Sequence, residues 1–268
     1  MKPVSRSGTA GRPARRKALG QHHLRSGSLC EPLVEFLEPA GHRIVEIGPG
    51  GGVLTRELLA NGARVSAWEL DLAWAAHTSR LLGRDAVQMV VGDALDLPWE
   101  GLPAGTRVCG NLPYAVGTAI VSAMLARATA VDRAAFLLQL EVVERLAAAP
   151  GSKAYGALSV LTAARAEVSI LGRLGPKAFV PPPKVDSAFV GLRRRPAPLP
   201  EPEMAGLTDV VFAAFAQRRK TLRNSLSAKW GRDVAESALA AAHISPELRA
   251  ERLGLAEFVE LAIALGKR

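Results

Sequence analysis

The chain is poor in several things at once. Of its 268 residues only two are cysteine, Cys30 and Cys109, only 5% are aromatic, and no acid precedes Glu31. Two cysteines cannot build the disulfide framework of a small secreted scaffold. Every apolar run is broken by charge, Gly or Pro well short of the ~20 residues that a membrane-spanning helix needs, so no membrane partner is expected. The first residues lack the apolar segment of a secretory signal, which makes a cytoplasmic protein the expectation. There is no G-x-x-x-x-G-K-[ST] loop to cradle a triphosphate, and a P-loop enzyme is excluded on spacing. No set of His, Cys and carboxylates has metal-ligand spacing, so no metal is expected either.

What the chain does have is a large apolar fraction, 49%, and an excess of 34 Lys+Arg over 25 Asp+Glu that leaves +9. The first suits a sizeable buried core and excludes a disordered chain. The second is unevenly placed. Lys2, Arg6, Arg12, Arg15, Arg16, Lys17 and Arg25 put +7 before the first acid, and residues 1–18 read as a basic flexible arm, an organelle transit peptide being the alternative. Further runs are Arg193–Arg195 and Arg218, Arg219, Lys220 and Arg223. Clusters of this kind point to a polyanion, and nucleic acid is the leading partner.

From Arg43 the sequence alternates β-rich runs with helical patterns. Strands are predicted at Arg43–Ile47, Arg64–Trp68, Val87–Val91, Thr106–Cys109, Ala134–Leu140, Val168–Leu174 and Ser187–Leu192. Helices are predicted at Val53–Ala60, Leu72–Leu82, Thr118–Ala128 and Tyr155–Ala166. The strand–helix rhythm calls for an α/β fold with about seven strands in one parallel sheet. The Pro-rich stretch Pro196–Pro202 interrupts it, and the remainder reads as short helices. Residues 19–195 are therefore expected to form the sheet domain and 203–268 a small all-helical domain.

Glu46-Ile-Gly-Pro-Gly-Gly-Gly52 lies between the first strand and the first helix, where glycines let the backbone turn sharply and approach a ligand. In the dinucleotide fingerprint a third glycine would follow at the position of Val53, which weakens a nicotinamide reading. Glu69, ending the second strand, can accept both hydroxyls of a ribose. Asp93, ending the third, can accept from an adenine amino group. Each acid taken alone has the plainer reading of a helix cap or loop residue. Together with the glycine turn they occupy the one sheet edge at which open α/β folds bind ligands.

Asn111-Leu-Pro-Tyr114 follows the fourth strand at that same edge. A bare tetrapeptide of this composition is equally a turn. At this edge it has a chemistry. An exocyclic amine that is to be methylated needs its protons held by acceptors so that its lone pair faces the methyl group, and the Asn111 amide oxygen and Leu112 carbonyl supply both. Pro113 stiffens the loop, and Tyr114 offers a ring on which a flipped base can lie.

With these residues in place the sequence resembles the KsgA-type ribosomal RNA adenine N6-dimethyltransferases. The resemblance runs from about Leu19 to nearly the C-terminus. It rests on Gly20-Gln-His-His-Leu24, Glu46-Ile-Gly-Pro-Gly50, Glu69-Leu-Asp71, Gly92-Asp-Ala94 and Gly110-Asn-Leu-Pro-Tyr114. Pro150–Gly156, Phe179–Ser187 and Gln217–Asn224 complete it. It implies a Rossmann-like methyltransferase domain that uses S-adenosylmethionine to dimethylate two adjacent adenosines near the 3′ end of small-subunit rRNA, with a role in small-subunit biogenesis. Carried over by position, His22, Leu24, Gly48, Gly50, Glu69, Asp93, Ala94 and Asn111 would hold the cofactor. Asn111, Leu112, Pro113 and Tyr114 would present the adenine, and Phe179 would stack on its other face. Arg15, Arg16, Lys17, Arg218, Arg219, Lys220 and Arg223 would grip the RNA, and Arg193–Arg195 would add to them. The partner would be small-subunit rRNA or an assembling subunit, and the chain is expected to act as a monomer. The family usually has Phe where this chain has His23 and often Asn where it has His22. Two other readings stay open: a resistance methyltransferase acting on large-subunit rRNA, and a ribosome-assembly or transcription factor of the same fold without catalysis.

Overall fold

The computed structural model describes residues 22–217 and 219–266, together with Pro13. Arg15, Arg16, Lys17 and Arg218 lie outside the described residues. In chain order the elements are β1 (His23–Leu24), α1 (Glu31–Leu37), β2 (Arg43–Ile47), α2 (Val53–Ala60), β3 (Arg64–Glu69), α3 (Leu72–Leu82), β4 (Val87–Val91) and β5 (Thr106–Asn111). There follow α4 (Gly117–Arg127), β6 (Val131–Gln139), α5 (Leu140–Leu146), α6 (Ala157–Ala163), β7 (Ala166–Leu174), β8 (Phe179–Val180) and β9 (Ser187–Arg194). The last four helices are α7 (Glu201–Phe215), α8 (Leu222–Trp230), α9 (Arg232–Ala241) and α10 (Leu255–Gly266).

Seven strands form one sheet in the order β4-β3-β2-β5-β6-β9-β7. The five from β4 to β6 are parallel, because each is followed by enough chain to cross back over the sheet. The expectation of an all-parallel sheet fails at the far edge, where β9 runs antiparallel to both β6 and β7. No crossover helix separates β7 from β9. The connecting segment instead folds down as β8 and pairs antiparallel with β1 in a separate two-stranded ribbon, His23 opposite Val180 and Leu24 opposite Phe179. That ribbon ties the start of the described chain to the mouth of the sheet.

The strands are short apolar runs because both faces are covered. One face carries a core that includes Val45, Val108, Phe136, Val190 and, from α4, Ile120 and Met124. The other packs Leu33 and Leu37 of α1 and Leu54 and Leu58 of α2 against Ile44, Ala67 and Phe189. A third core belongs to α7–α10, and it takes in Tyr155 with Val160 and Ala164 at α6. The Tyr155 hydroxyl donates to the Leu253 carbonyl at 2.7 Å. Arg165 forks onto Glu201 at 2.7 and 2.9 Å across the irregular segment before α7.

Order of the strands places the site. At β2 the chain's progress reverses, β3 lying on one side and β5 on the other, so the carboxyl ends of β2 and β5 flank the switch point at which such sheets bind ligands. Ile47 pairs with Trp68 on one side and Gly110 on the other. The residues that follow these three positions form the floor and walls of the main cleft.

Candidate functional site

A cleft at this edge is lined by the glycine turn (Gly48, Gly50), by Glu69 and Leu70 from the end of β3, and by Asp93 after β4. Asn111 to Val116 after β5 and the two histidines at β1 close it. The turn works because Gly48, Gly50 and Gly52 take φ of +67°, +48° and +71°, the left-handed region that a side chain disfavours. Gly48 N–H donates to the Trp68 carbonyl at 2.8 Å, fixing the turn to β3. The Thr78 hydroxyl on α3 donates to the Gly50 carbonyl from behind.

Glu69 is 5% exposed, and its two oxygens accept from Gly50 N–H at 3.1 Å and Asp71 N–H at 3.0 Å. Burial pushes this carboxyl above its ordinary range, and those backbone donors pull it back toward the charged form. A carboxylate has about four lone-pair sites, so the two bonds leave capacity for a ligand hydroxyl. Asp93 also combines two readings. One oxygen caps the short turn Ala94–Asp96 by accepting from Leu95 N–H at 2.9 Å, while the residue lines the cleft and is exposed to it.

Asn111 is oriented by the ribbon. Its side-chain NH2 donates to the His22 carbonyl at 2.7 Å, which leaves the amide oxygen as the acceptor. Tyr114 is held at both ends: its hydroxyl is 2.6 Å from Ser187 Oγ on β9, and its ring lies 5.6 Å from the His22 ring at an interplanar angle of 26°. The His22 ring in turn reaches the Pro181 carbonyl at 2.8 Å through Nδ1. A planar acceptor at the cleft thus meets a carbonyl, an amide oxygen and an aromatic face within one rigid tetrapeptide.

The histidines at β1 acquire a physical reason. His23 lies 4.6 Å from Trp74 of α3, ring to ring, and a Cβ on Gly50 would come within 2.5 Å of its Cε1. The position asks for a flat ring wedged between a glycine and a tryptophan, and imidazole meets that requirement as phenyl does. Trp74, Thr78, Ser187, Leu70 and Val116 had no sequence signal of their own. Leu70, Trp74 and Thr78 lie close together in the chain, but they meet Val116 and Ser187 only through the sheet.

Several expected site residues stand elsewhere. Phe179 is 0% exposed, belongs to the core beside Leu24 and Phe189, and is not among the residues that line the cleft. β8 pairs with β1 in a register that turns the ring inward. Ala94 is also buried, under the edge and away from the cleft lining. Leu24 is buried and lines a small void next to the cleft. Leu112 is 1% exposed and presents its backbone, the side chain being part of the core.

The basic clusters separate too. Arg194 does not face a phosphate: its guanidinium donates to the carbonyls of Val131 at 3.1 Å, Leu125 at 3.1 Å and Ala128 at 2.9 Å, closing the C-terminus of α4. Arg193 lies over the Phe36 ring at 5.9 Å. Arg223 is ion-paired with Glu236 and Glu247 inside the helical domain, so its charge is already countered. Arg219 and Lys220 are exposed in the turn between α7 and α8.

Residues 13–267 match the sequence profile described as ribosomal RNA adenine dimethylase. The chain belongs to that family. It is 42% identical over 255 residues to the ribosomal RNA small subunit methyltransferase A of Xanthomonas axonopodis pv. citri, covering 92% of this chain and 95% of that protein. The protein of the same name from Methylococcus capsulatus is 41% identical over 251 residues, covering 92% and 96%. Among solved structures, a dimethyladenosine transferase from Plasmodium falciparum superposes with a TM-score of 0.76 at 19% identity, over 92% of this chain and 98% of the other, a likeness of fold. The 23S rRNA methyltransferase ErmE superposes with a TM-score of 0.70 at 26% identity, over 91% and 99%. As a dimethylase of this family, the chain places its acids, glycine turn and tetrapeptide at a single edge of the sheet.

Among the described residues no helix is long and apolar enough to cross a membrane, and no group of His, Cys, Asp and Glu could hold a metal ion. The donors present suit another kind of ligand. Backbone N–H groups, two carboxylates and the apolar walls Leu70 and Val116 fit a nucleoside that carries positive charge.

Proposed function

We propose that the chain transfers methyl groups from S-adenosylmethionine to N6 of two adjacent adenosines near the 3′ end of small-subunit rRNA. The observation that carries this reading is the Asn111 amide, locked by the His22 carbonyl so that its oxygen is an acceptor, next to a tyrosine ring braced by Ser187. When bound, the cofactor supplies an electrophilic methyl group on sulfur. Every other requirement falls to the chain.

Glu69 and Asp93 bind the cofactor's ribose and adenine, and the turn at Gly48 and Gly50 admits its amino-acid end. Asn111 Oδ1 and the Leu112 carbonyl accept the two N6–H bonds of the target adenine, which directs the nitrogen lone pair away from them. Tyr114 holds the base flat. Alignment is the main demand of such a displacement, and the proton leaves to water once the nitrogen becomes cationic. After the first transfer one N–H remains, so one of the two acceptors continues to orient the nitrogen for the second. The exposed Arg219 and Lys220, with the basic arm, grip phosphates, and binding of the RNA weakens as salt rises. The chain acts on its substrate as a monomer in the cytoplasm, in the course of small-subunit assembly.

A large-subunit substrate is the second reading, and the likeness to ErmE favours it. The higher identity to proteins named for the small subunit weighs against it, and the intact tetrapeptide weighs against a non-catalytic factor. Incubating each ribosomal subunit with the protein and methyl-labelled S-adenosylmethionine, then mapping the label, decides between them. Label on two adjacent small-subunit adenosines is expected, and label on the large subunit alone overturns the proposal.

A further inference from the structure

Behind the glycine turn lies a second, much smaller void of about 20 Å3, lined by Glu46, Gly48, Leu54, Asn111 and His23 among others. That is space for about one water molecule. It shares Gly48, Asn111 and His23 with the main cleft and therefore adjoins it. Glu46 comes from β2, is 1% exposed, and its Oε2 has no hydrogen-bond partner among the described residues. A buried carboxyl oxygen without a donor is costly when charged, and a site that keeps one has a reason to do so.

The groups around Glu46 are almost uniformly unsuited to a carboxylate. Glu69 at the end of β3 adds a like charge, while Cys109 on β5 and Cys30 before α1 are buried thiols whose own ionisation Glu46 opposes. Thr55 on α2 favours the charged form by hydrogen bonding to the carboxyl from its side chain and its backbone, and His23 and Asn111 face the same void from β1 and β5. Among the described residues no lysine or arginine lines the void. Burial first, and Glu69 second, raise the carboxyl from 4.5 to about 7, with Thr55 opposing. Glu69 differs, since both of its oxygens already accept backbone N–H groups.

We propose that Glu46 is the buried counter-charge of the sulfonium cofactor: it gives up a proton to solvent when the cationic cofactor binds and takes one back when the methyl has left and a neutral thioether remains. The inference rests on the methyltransferase reading and deepens it. S-adenosylmethionine carries one methyl group and one positive charge more than S-adenosylhomocysteine, and the two are otherwise alike. A buried carboxylate distinguishes them by that charge. The function served is exchange. Dimethylation consumes two cofactors on one nitrogen, so the spent molecule must give way to a fresh one, and a site that re-protonates on product formation loses its preference for what it holds.

The sign follows from the direction of the shift. Below about pH 7 the cofactor must displace a proton to bind, so its affinity falls by up to about tenfold for each pH unit, until Glu46 stays protonated in the complex as well. The thioether product has no such requirement.

Titration calorimetry of the full chain at pH 6.5, in two buffers of different ionisation enthalpy, counts the protons. With S-adenosylmethionine the wild type should release half a proton or more (about 0.5–0.8 from a group near pH 7), and with S-adenosylhomocysteine close to none. Glu46→Gln keeps the shape, removes the titrating group and should abolish the difference between the two ligands. Equal release with both ligands in the wild type overturns the proposal, and this comparison needs no variant. A difference that survives in Glu46→Gln overturns it as well. Binding of neither ligand overturns the methyltransferase reading together with this one, whereas binding without differential proton release overturns this one alone.

Discussion

Gly110→Ala tests the arrangement at its tightest point. Gly110 is the residue before Asn111, it pairs with Ile47 across the β2–β5 ladder, and its burial is complete enough that nothing around it can recede. A Cβ there would fall far inside contact with the Ile47 carbonyl oxygen and 3.1 Å from Leu112 Cδ2. The obstruction is backbone, so the two strands have to part by about 1 Å to restore ordinary contact. Overpacking of this kind costs about 1–3 kcal/mol, and a ladder hydrogen bond lost alongside adds about 1 kcal/mol. For a chain of this size that corresponds to a fall of about 4–7 °C in Tm. The strand that moves carries Asn111, and a displacement of about 1 Å at a reacting centre costs about 100-fold in turnover. Gly206→Ala supplies the control. Gly206 is exposed within α7, and a Cβ there meets nothing within 4 Å, so the substitution should stabilise by about 0.5–1 kcal/mol and leave turnover alone. Thermal unfolding and methyl incorporation measure both variants. Gly110→Ala with Tm unchanged and full turnover would refute the claim that close approach of β2 and β5 sets the position of Asn111.

Phe179 separates core from site: Phe179→Ala should cost about 3–5 kcal/mol in thermal unfolding, while Phe179→Leu should keep turnover within a few-fold. Loss of turnover in Phe179→Leu at unchanged Tm would instead give the ring a stacking role. Arg194→Ala leaves several carbonyls at the end of α4 without their donor, so Tm should fall by the equivalent of about 2–4 kcal/mol. Its RNA affinity and the salt dependence of that affinity should match the wild type in filter binding. Glu46 is held protonated more strongly when folded than when unfolded, so its contribution to stability is highest at low pH and declines as pH rises from 4.5 to about 7. Glu46→Gln should therefore be more stable than the wild type at pH 8, by up to about 3 kcal/mol at 1.36 kcal/mol per pH unit and with a higher Tm, and the gain should vanish by pH 5. A gain that grows toward acid would contradict the buried-carboxyl account.

What the sequence made legible, and what it did not, follows from the range of the forces concerned. The helices Val53–Ala60 and Leu72–Leu82 end where expected because their limits are local: Gly52 at one start, Asp71 capping Ala73 N–H at the other, and Asn61 and Gly83 at the ends. The glycine turn and the two acids were readable for the same reason, each standing at a strand end. The ribbon of β1 and β8 was not. Two-residue strands have no period, and their partners are about 155 residues apart, so only the fold shows that Leu24 and Phe179 are opposite one another. The reversal of β9 was hidden likewise, because an apolar run buried on both faces carries no mark of its direction.

Charge was legible in amount and illegible in use. Arg194 and Arg223 look in sequence like the cations beside them, yet one closes a helix and the other holds two acids, while Arg219 and Lys220 stay exposed. What separates them is whether an unsatisfied carbonyl or a carboxylate comes within reach once the chain folds, and that depends on residues between 13 and 70 positions away. The same logic governs the acids. Glu46 and Glu69 both stand at the end of a strand, but Glu69 finds two N–H donors and can be a charged binding group, whereas Glu46 lacks a donor for Oε2 and is readily neutral. A site that must hold a cation, change that cation into a neutral molecule and then exchange it needs one acid of each kind.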